Sequence, residues 1–146
     1  MMSTIPNRSD MIGGMKIRLF AGPFAALAVT LLSCPHAALA TGDAAKGEAA
    51  LKKHCIICHD TAAGKNKVGP SLYAVYGRKA GTAQGYQLYR GLKTADWTWD
   101  EKTLDAYLVD PPAYTKSKTG QTGSMVFMLK DKQEREDVIA YLKTLK

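Results

Sequence analysis

The chain has 146 residues, 46% of them hydrophobic and 23% charged, with a formal net charge of +7. This length accommodates one ordinary domain, and there is no internal repeat, low-complexity tract or second-domain boundary. No nucleic-acid-binding motif accompanies the positive charge, so we expect docking to acidic protein surfaces rather than binding to nucleic acid.

The N-terminus resembles an export signal. Lys16 and Arg18 form a basic region, residues 19–33 form a short apolar run, and an A-x-A cleavage pattern ends at Ala40. We predict cleavage after Ala40 and a periplasmic location. The apolar run is short for a membrane span. The alternative is a membrane-tethered protein, held by a retained anchor or by a lipid on Cys34.

The predicted organisation is therefore a signal peptide over residues 1–40 and one domain over residues 41–146. Removing residues 1–40 takes away three basic side chains and one acidic side chain, which leaves 17 basic and 12 acidic side chains and a net charge of +5. The predicted mature domain stays basic.

The first predicted helix begins at Asp43, whose carboxylate can cap it. Ala44, Gly47 and Leu51 fall on one face of this helix, which leads into the next motif. A glycine in an otherwise apolar stripe indicates a close approach of another backbone segment.

The motif that follows, Cys55-Ile56-Ile57-Cys58-His59, is the CxxCH pattern of covalent haem c attachment. Two cysteines three positions apart on a helical turn can reach the two vinyl groups of one porphyrin, which leaves His59 beneath the iron as the proximal ligand. A zinc site with His54 would need a second ligand pair from a distant segment, and residues 60–146 contain no Cys or His. A thioredoxin-like CxxC would need a βαβ context, which is absent from the pattern. We predict one covalent haem c with its iron.

Residues 60–92 are rich in Gly, Lys, Asn and Thr and lack periodicity, which predicts a long loop wrapped around the haem. Asp100 is predicted to cap a helix that ends where Asp110 meets Pro111, with Trp99 and Leu104 forming a hydrophobic staple.

A last helix is predicted to start at Asp131 with a capping-box-like Glu134. Its apolar stripe consists of Val138, Tyr141, Leu142 and Leu145. Because the first and last helices both have an apolar face, we expect them to pack together.

Together these features resemble a small class I cytochrome c of the mitochondrial and soluble alphaproteobacterial type, over residues 42–145. The resemblance is carried by Gly42-Asp43 with Lys46-Gly47, CxxCH, Gly69-Pro70-Ser71-Leu72, Gly77-Arg78-Lys79-Ala80-Gly81, Trp99, Tyr107-Leu108 before Pro111, Met125-Val126-Phe127, and residues 134–142. It implies an all-α fold with the haem held edge-on in a crevice and with the terminal helices crossing at Gly47.

The resemblance also implies roles for individual residues. Pro70 would offer its carbonyl to the far nitrogen of His59. Arg78 and Trp99 would hydrogen-bond a haem propionate, and Tyr107 would lie near the sixth iron ligand. Without the surrounding motifs, each aromatic residue would be read as core packing.

The resemblance assigns the sixth ligand to Met125, because this residue sits in a Met-x-Phe context just before the final helix, as the family's axial methionine does. A thioether opposite histidine favours ferrous iron and raises the reduction potential. Met128, three residues on, is the competing candidate, and either methionine taken alone is more often core filler than ligand.

Three features depart from the family pattern. Leu88 replaces the usual propionate-binding tyrosine, with Tyr86 and Tyr89 as substitutes. His54 stands where lysine is common, and residues 115–124 lengthen the approach to Met125. We expect these residues to form a mobile loop with flexible points at Gly120 and Gly123. A basic ring around the haem edge is predicted from Lys65, Lys67, Lys116, Lys118 and Lys132.

The resulting functional prediction is a monomeric one-electron carrier that catalyses no bond chemistry and shuttles electrons between a reductase and a terminal acceptor in a respiratory or photosynthetic chain. Its implied partners are a quinol:cytochrome c reductase and cytochrome c oxidase, or other redox proteins with acidic docking surfaces, with transient contact to a membrane surface. The alternative is a haem enzyme or gas sensor in which Met125 leaves the iron. It is disfavoured because no spare histidine is available for acid/base chemistry.

Overall fold

The computed structural model describes residues 42–146. It contains α1 (Ala44–His54), α2 (Glu101–Val109), α3 (Pro111–Thr119) and α4 (Lys132–Leu142). No strand forms within these residues, where an isolated antiparallel bridge joins Lys79 to Thr98. The expected all-α class is confirmed, whereas the predicted signal peptide falls outside the described residues.

Each helix begins at an aspartate whose side chain accepts hydrogen bonds from backbone N–H groups of the first turn. The four caps are Asp43, Asp100, Asp110 and Asp131. Asp100 forms a full capping box with Thr103. At α4 the box is half formed, because the carboxylate of Glu134 lies beside His54 instead of returning to the cap.

Helices α1 and α4 pack closely at Gly47. A methyl group there would overlap the carbonyl oxygen of Asp137, so only glycine allows the observed approach. The Asp137 carboxylate also accepts a 2.7 Å hydrogen bond from the backbone N–H of Asp43. Leu51 and Val138 are buried beside this contact, so the predicted packing of the first and last helices is present.

The expected mobile loop over residues 115–124 is wrong in its first half, which belongs to α3. Asp110 caps this helix and Pro111 occupies its first turn, where a missing N–H costs nothing. Gly120 ends it in the left-handed conformation with φ 74°.

The turn after α3 is also packed rather than free. Thr115 is completely buried, and its hydroxyl donates to the Pro111 carbonyl oxygen at 2.8 Å. A Cβ added at Gly123 would lie 2.8 Å from the Thr115 hydroxyl oxygen. Gly120 and Gly123 therefore serve as a helix cap and a packing contact rather than as flexible points.

Between α1 and α2 the chain has no helix, as expected for the loop. The Asn66 side chain ties this loop together, because it accepts from the Ser71 N–H and donates to the Gln84 carbonyl. None of the described helices has the length and apolar character that crossing a membrane requires.

Candidate functional site

The loop and the helices enclose a cavity of about 690 Å³. Its wall is largely apolar and includes core side chains of α1, α2 and α4 such as Leu51, Leu104 and Leu142. All the site residues predicted from the sequence contribute to this wall: Cys55, Cys58, His59, Pro70, Arg78, Trp99, Tyr107 and Met125.

The CxxCH segment continues the winding of α1 by about one turn. The backbone N–H of Cys58 donates to the Cys55 carbonyl at 3.0 Å, and that of His59 donates to the same carbonyl at 2.8 Å. Both cysteines are free thiols, Cys55 half-buried and Cys58 exposed. Burial, with the neighbouring Cys58 thiol, raises the pKa of Cys55 to about 11. The described residues contain no converging cluster of three or more His, Cys, Asp or Glu side chains.

The imidazole of His59 is oriented by a hydrogen bond at the nitrogen that faces away from the cavity. Nδ1 lies 2.7 Å from the Pro70 carbonyl oxygen, which can only accept, so Nδ1 carries the proton. Nε2 makes no hydrogen bond with any residue of the described chain. Burial lowers the pKa of His59. The result is a neutral imidazole with a free Nε2 lone pair at the cavity, the form that binds a metal.

Gly69 packs directly against this ring. A Cβ added there would lie 2.7 Å from Nδ1 and 2.8 Å from Nε2 of His59. The chain therefore leaves only hydrogen atoms between Gly69 and the imidazole, and the ring plane is restricted by the backbone as well as by Pro70.

The two candidate methionines occupy different environments. Met125 is half-buried, lines the cavity and packs against the hydrophobic core. Met128 is not among the lining residues and is 38% exposed. The geometry favours Met125 as the thioether donor.

Arg78 and Trp99 present polar groups to the cavity. The Arg78 guanidinium is held by the carbonyls of Tyr73 and Ser71, at 2.7 and 3.0 Å, and burial lowers its pKa. Trp99 is buried and lines the cavity. A carboxylate in the cavity would accept hydrogen bonds from the Arg78 guanidinium and from the Trp99 indole N–H.

Leu88 lines the cavity together with Tyr86 and Tyr89, but it is 70% exposed. The Tyr86 hydroxyl donates to the Val68 carbonyl oxygen at 2.7 Å, so its proton is engaged. The Tyr89 hydroxyl accepts from the Ala83 N–H at 2.8 Å and keeps its own proton free. Of the two substitutes for the missing tyrosine, Tyr89 can donate to a carboxylate.

Arg90, which is not among the residues predicted from the sequence, also lines the cavity. A second cation beside Tyr89 in the loop would have been the signal. Tyr107 lies with its ring centroid 4.8 Å from that of Trp99, and burial raises its pKa, so its hydroxyl remains a neutral donor.

None of the five lysines predicted for the basic ring lines the cavity. Lys67 lies beside the CxxCH segment, because its ammonium donates to the Ile56 carbonyl at 2.8 Å. Lys132 is 3.4 Å from Glu136, and Lys118 lies over the ring of Tyr114. Lys67 is thus the member with a direct contact to the attachment motif.

An apolar cavity containing two thiols, a free imidazole nitrogen, a thioether and several N–H or O–H donors fits a haem with its propionates. The Cytochrome c family model matches residues 44–146. Cytochrome c2 of Rhodospirillum rubrum is 44% identical over 135 residues, covering 88% of this chain and 96% of its own. A cytochrome c2 of Rhodopseudomonas palustris is 48% identical over 116 residues, covering 71% of this chain and 99% of its own.

The solved structure of cytochrome c2 from Rhodospirillum centenum has a TM-score of 0.64 at 41% identity and covers 71% of this chain and 98% of that one. Cytochromes of this kind bind one covalent haem c with its iron and transfer electrons without being enzymes. The chain belongs to the cytochrome c family, as an electron carrier of the class I, alphaproteobacterial type.

Proposed function

We propose that this protein is an exported one-electron carrier whose single haem c is attached through Cys55 and Cys58, with iron between His59 and Met125. The observation that carries the proposal is the meeting of all four side chains at one cavity. The bound haem supplies a reversible one-electron couple. The surrounding residues bind it, orient its ligands and exclude water.

The contacts of the cavity residues support a role for each. Pro70 fixes the His59 ring and raises its basicity as a ligand through the hydrogen bond to Nδ1. Arg78, Trp99 and Tyr89 offer donors to the propionates, offsetting the cost of taking carboxylates out of water. Tyr107 supplies a neutral hydroxyl near the sixth ligand. The apolar wall supports a raised reduction potential.

For location, the proposal is cleavage of residues 1–40 after Ala40 and release into the periplasm as residues 41–146. The match to the Rhodospirillum rubrum relative supports a shared N-terminal segment, because it covers 88% of the chain, more than residues 42–146 account for. We propose a quinol:cytochrome c reductase as donor and cytochrome c oxidase, or another redox protein with an acidic surface, as acceptor. Docking is that of a monomer with transient contact to the membrane surface.

The ligand assignment is tested by the spectrum of the reduced, haem-loaded protein with and without carbon monoxide. We expect no change for the wild-type protein and for Met128→Ala, because the sixth position is held by Met125. Met125→Ala should bind carbon monoxide rapidly. Rapid binding by the wild type would favour the gas-sensor alternative, and an open iron in Met128→Ala would assign the ligand to that residue instead.

The docking proposal is tested by the rate of reduction by a purified quinol:cytochrome c reductase at increasing ionic strength. Steering between a basic carrier and an acidic partner weakens as salt screens the charges, with a Debye length of about 8 Å at physiological salt. We expect the bimolecular rate to fall, and a flat salt series would argue against acidic partners.

A further inference from the structure

We propose that His54 is a positioning residue that holds the segment carrying Met125 against the body of the protein, through the ring of Phe127. The inference rests on the proposed assignment of Met125 as the sixth ligand. It concerns how the chain keeps that ligand in place when the backbone around it forms no hydrogen bonds.

The segment of residues 124–128 makes no hydrogen bond with any other residue of the described chain. Its neighbours are anchored, since Gly123 packs on Thr115 and the Leu129 N–H donates to the Leu108 carbonyl at 2.8 Å. Between these anchors, the position of the segment is set by side-chain contacts. Met125 packs inward on the core, whereas Val126 is 76% exposed.

Phe127 provides the lateral contact. Its ring stacks on the His54 imidazole with centroids 5.3 Å apart and planes at 27°. Both side chains line the same cavity as Met125. Because Phe127 is two residues from Met125, a ring held at this place limits how far the thioether can swing away from the cavity.

The His54 imidazole lies where α1, α4 and the segment of residues 124–128 meet. His54 is the last residue of α1, and its Nε2 lies 3.2 Å from the Glu134 carboxylate in the first turn of α4. One side chain therefore connects the two packed terminal helices to the unbonded segment. A lysine at this position could pair with a carboxylate but could not stack as an aromatic ring.

The expected size of the effect follows from the stack. Aromatic pairs are worth about 0.5–1.5 kcal/mol beyond burial, which corresponds to roughly 2- to 13-fold in a rate or equilibrium. The contact between His54 and Glu134 is partly exposed, with side-chain exposures of 22% and 32%, so competition from solvent makes its share smaller.

The test uses the ferric, haem-loaded protein and imidazole as the probe that displaces Met125. The readout is the loss of the long-wavelength sulfur-to-iron charge-transfer absorption, followed in time. We expect His54→Leu to raise the displacement rate about 2- to 13-fold, and His54→Phe, which keeps an aromatic ring, to remain near the wild-type rate. Lys53→Leu changes the exposed neighbour on α1 and is expected to have no effect.

Phe127→Leu examines the same contact from the other side. In a double-mutant cycle, His54→Leu and Phe127→Leu should not add, because both remove one interaction. The Phe127→Leu single variant, which should also displace Met125 about 2- to 13-fold faster than wild type, remains available if His54→Leu fails to yield haem-loaded protein.

The proposal is overturned if imidazole displaces Met125 no faster in His54→Leu than in the wild type. It is also overturned if Lys53→Leu raises the displacement rate equally, or if His54→Phe has the same rate as His54→Leu. A purely structural role would lower the unfolding temperature and leave the displacement rate unchanged. Failure of the ligand assignment is distinct, because the wild-type protein would then lack the charge-transfer absorption altogether.

Discussion

His59 shows how much of the site is decided at single residues. The ring is held from one side by the Pro70 carbonyl and from another by the backbone of Gly69. The first contact selects the tautomer and the second restricts the ring plane. Neither neighbour carries a functional side chain of its own, so their importance lies in backbone geometry.

Gly69→Ala should disturb the imidazole, because the new methyl group would lie 2.7 Å from Nδ1 of His59. We expect a loss of about 1–3 kcal/mol of unfolding free energy from overpacking, together with an altered ferrous absorption spectrum. Gly64→Ala is the control, since no atom lies within 4 Å of its Cβ position. It should cost about 1–2 kcal/mol for its left-handed backbone but leave the spectrum unchanged. An unaltered spectrum in Gly69→Ala would contradict this account.

At the scale of the elements, aspartate caps and one glycine contact organise the helices. The caps lower the free energy of each helix start by satisfying N–H groups that have no partner inside the helix. The close approach at Gly47 joins α1 to α4, and the half-formed capping box at Glu134 leaves a carboxylate free to meet His54. Local helix signals and long-range contacts thus share the same residues.

Gly47→Ala tests the α1–α4 contact, because helix propensity and packing predict opposite changes in the free energy of unfolding. Helix propensity alone predicts a gain of about 1 kcal/mol in unfolding free energy. Overlap with the Asp137 carbonyl should instead produce a net loss of about 1–3 kcal/mol, measured by chemical denaturation. Ala49→Gly, at an exposed position of α1, reports propensity alone and should lose about 1 kcal/mol. A stabilised Gly47→Ala variant would show that the helices can separate without cost.

The cap of α2 predicts a pH dependence. Hydrogen bonds from the Thr103 N–H and hydroxyl lower the pKa of Asp100 below its usual value of 3.8 in the folded protein. Stability from this group is therefore present above the unfolded pKa and is lost as the pH falls through the lower folded pKa. Asp100→Asn keeps an acceptor but not the charge. Its deficit in unfolding temperature relative to wild type should be largest near neutral pH and shrink in acid. A constant deficit would contradict the prediction.

For the whole molecule, the cofactor cavity is part of the hydrophobic core. Residues such as Leu51, Leu104, Val138 and Leu142 belong both to the core cluster and to the wall of the cavity of about 690 Å³. The stability of the four short helices and of the long loop therefore depends on the group that fills this cavity.

Removing the haem should unfold the domain. Without it, the apolar side chains that line the cavity lose the group against which they pack, and a typical domain has only about 5–15 kcal/mol of unfolding free energy to offset that loss. We expect a Cys55→Ser, Cys58→Ser chain produced without haem to show little helix by circular dichroism and no cooperative thermal transition. The haem-loaded wild type is the reference. Native helix content in the haem-free chain would contradict this coupling.

The sequence by itself determined the haem motif, three of the four helix starts and the close contact at Gly47, because these depend on residues near one another in the chain or on the absence of a side chain. Helix α3 is not among the predicted helices, although Asp110 and Pro111 are a local start signal, because the extra length and the glycines of residues 115–124 indicate a mobile loop instead.

Tertiary structure decided the questions between neighbours of similar chemistry. Met125 rather than Met128 reaches the cavity, and Tyr89 rather than Tyr86 keeps a free hydroxyl proton. The His54 contact with Glu134 spans 80 positions of the chain. Spacing describes which side chains share a helix face, whereas these outcomes depend on which distant backbone groups and rings occupy the remaining space.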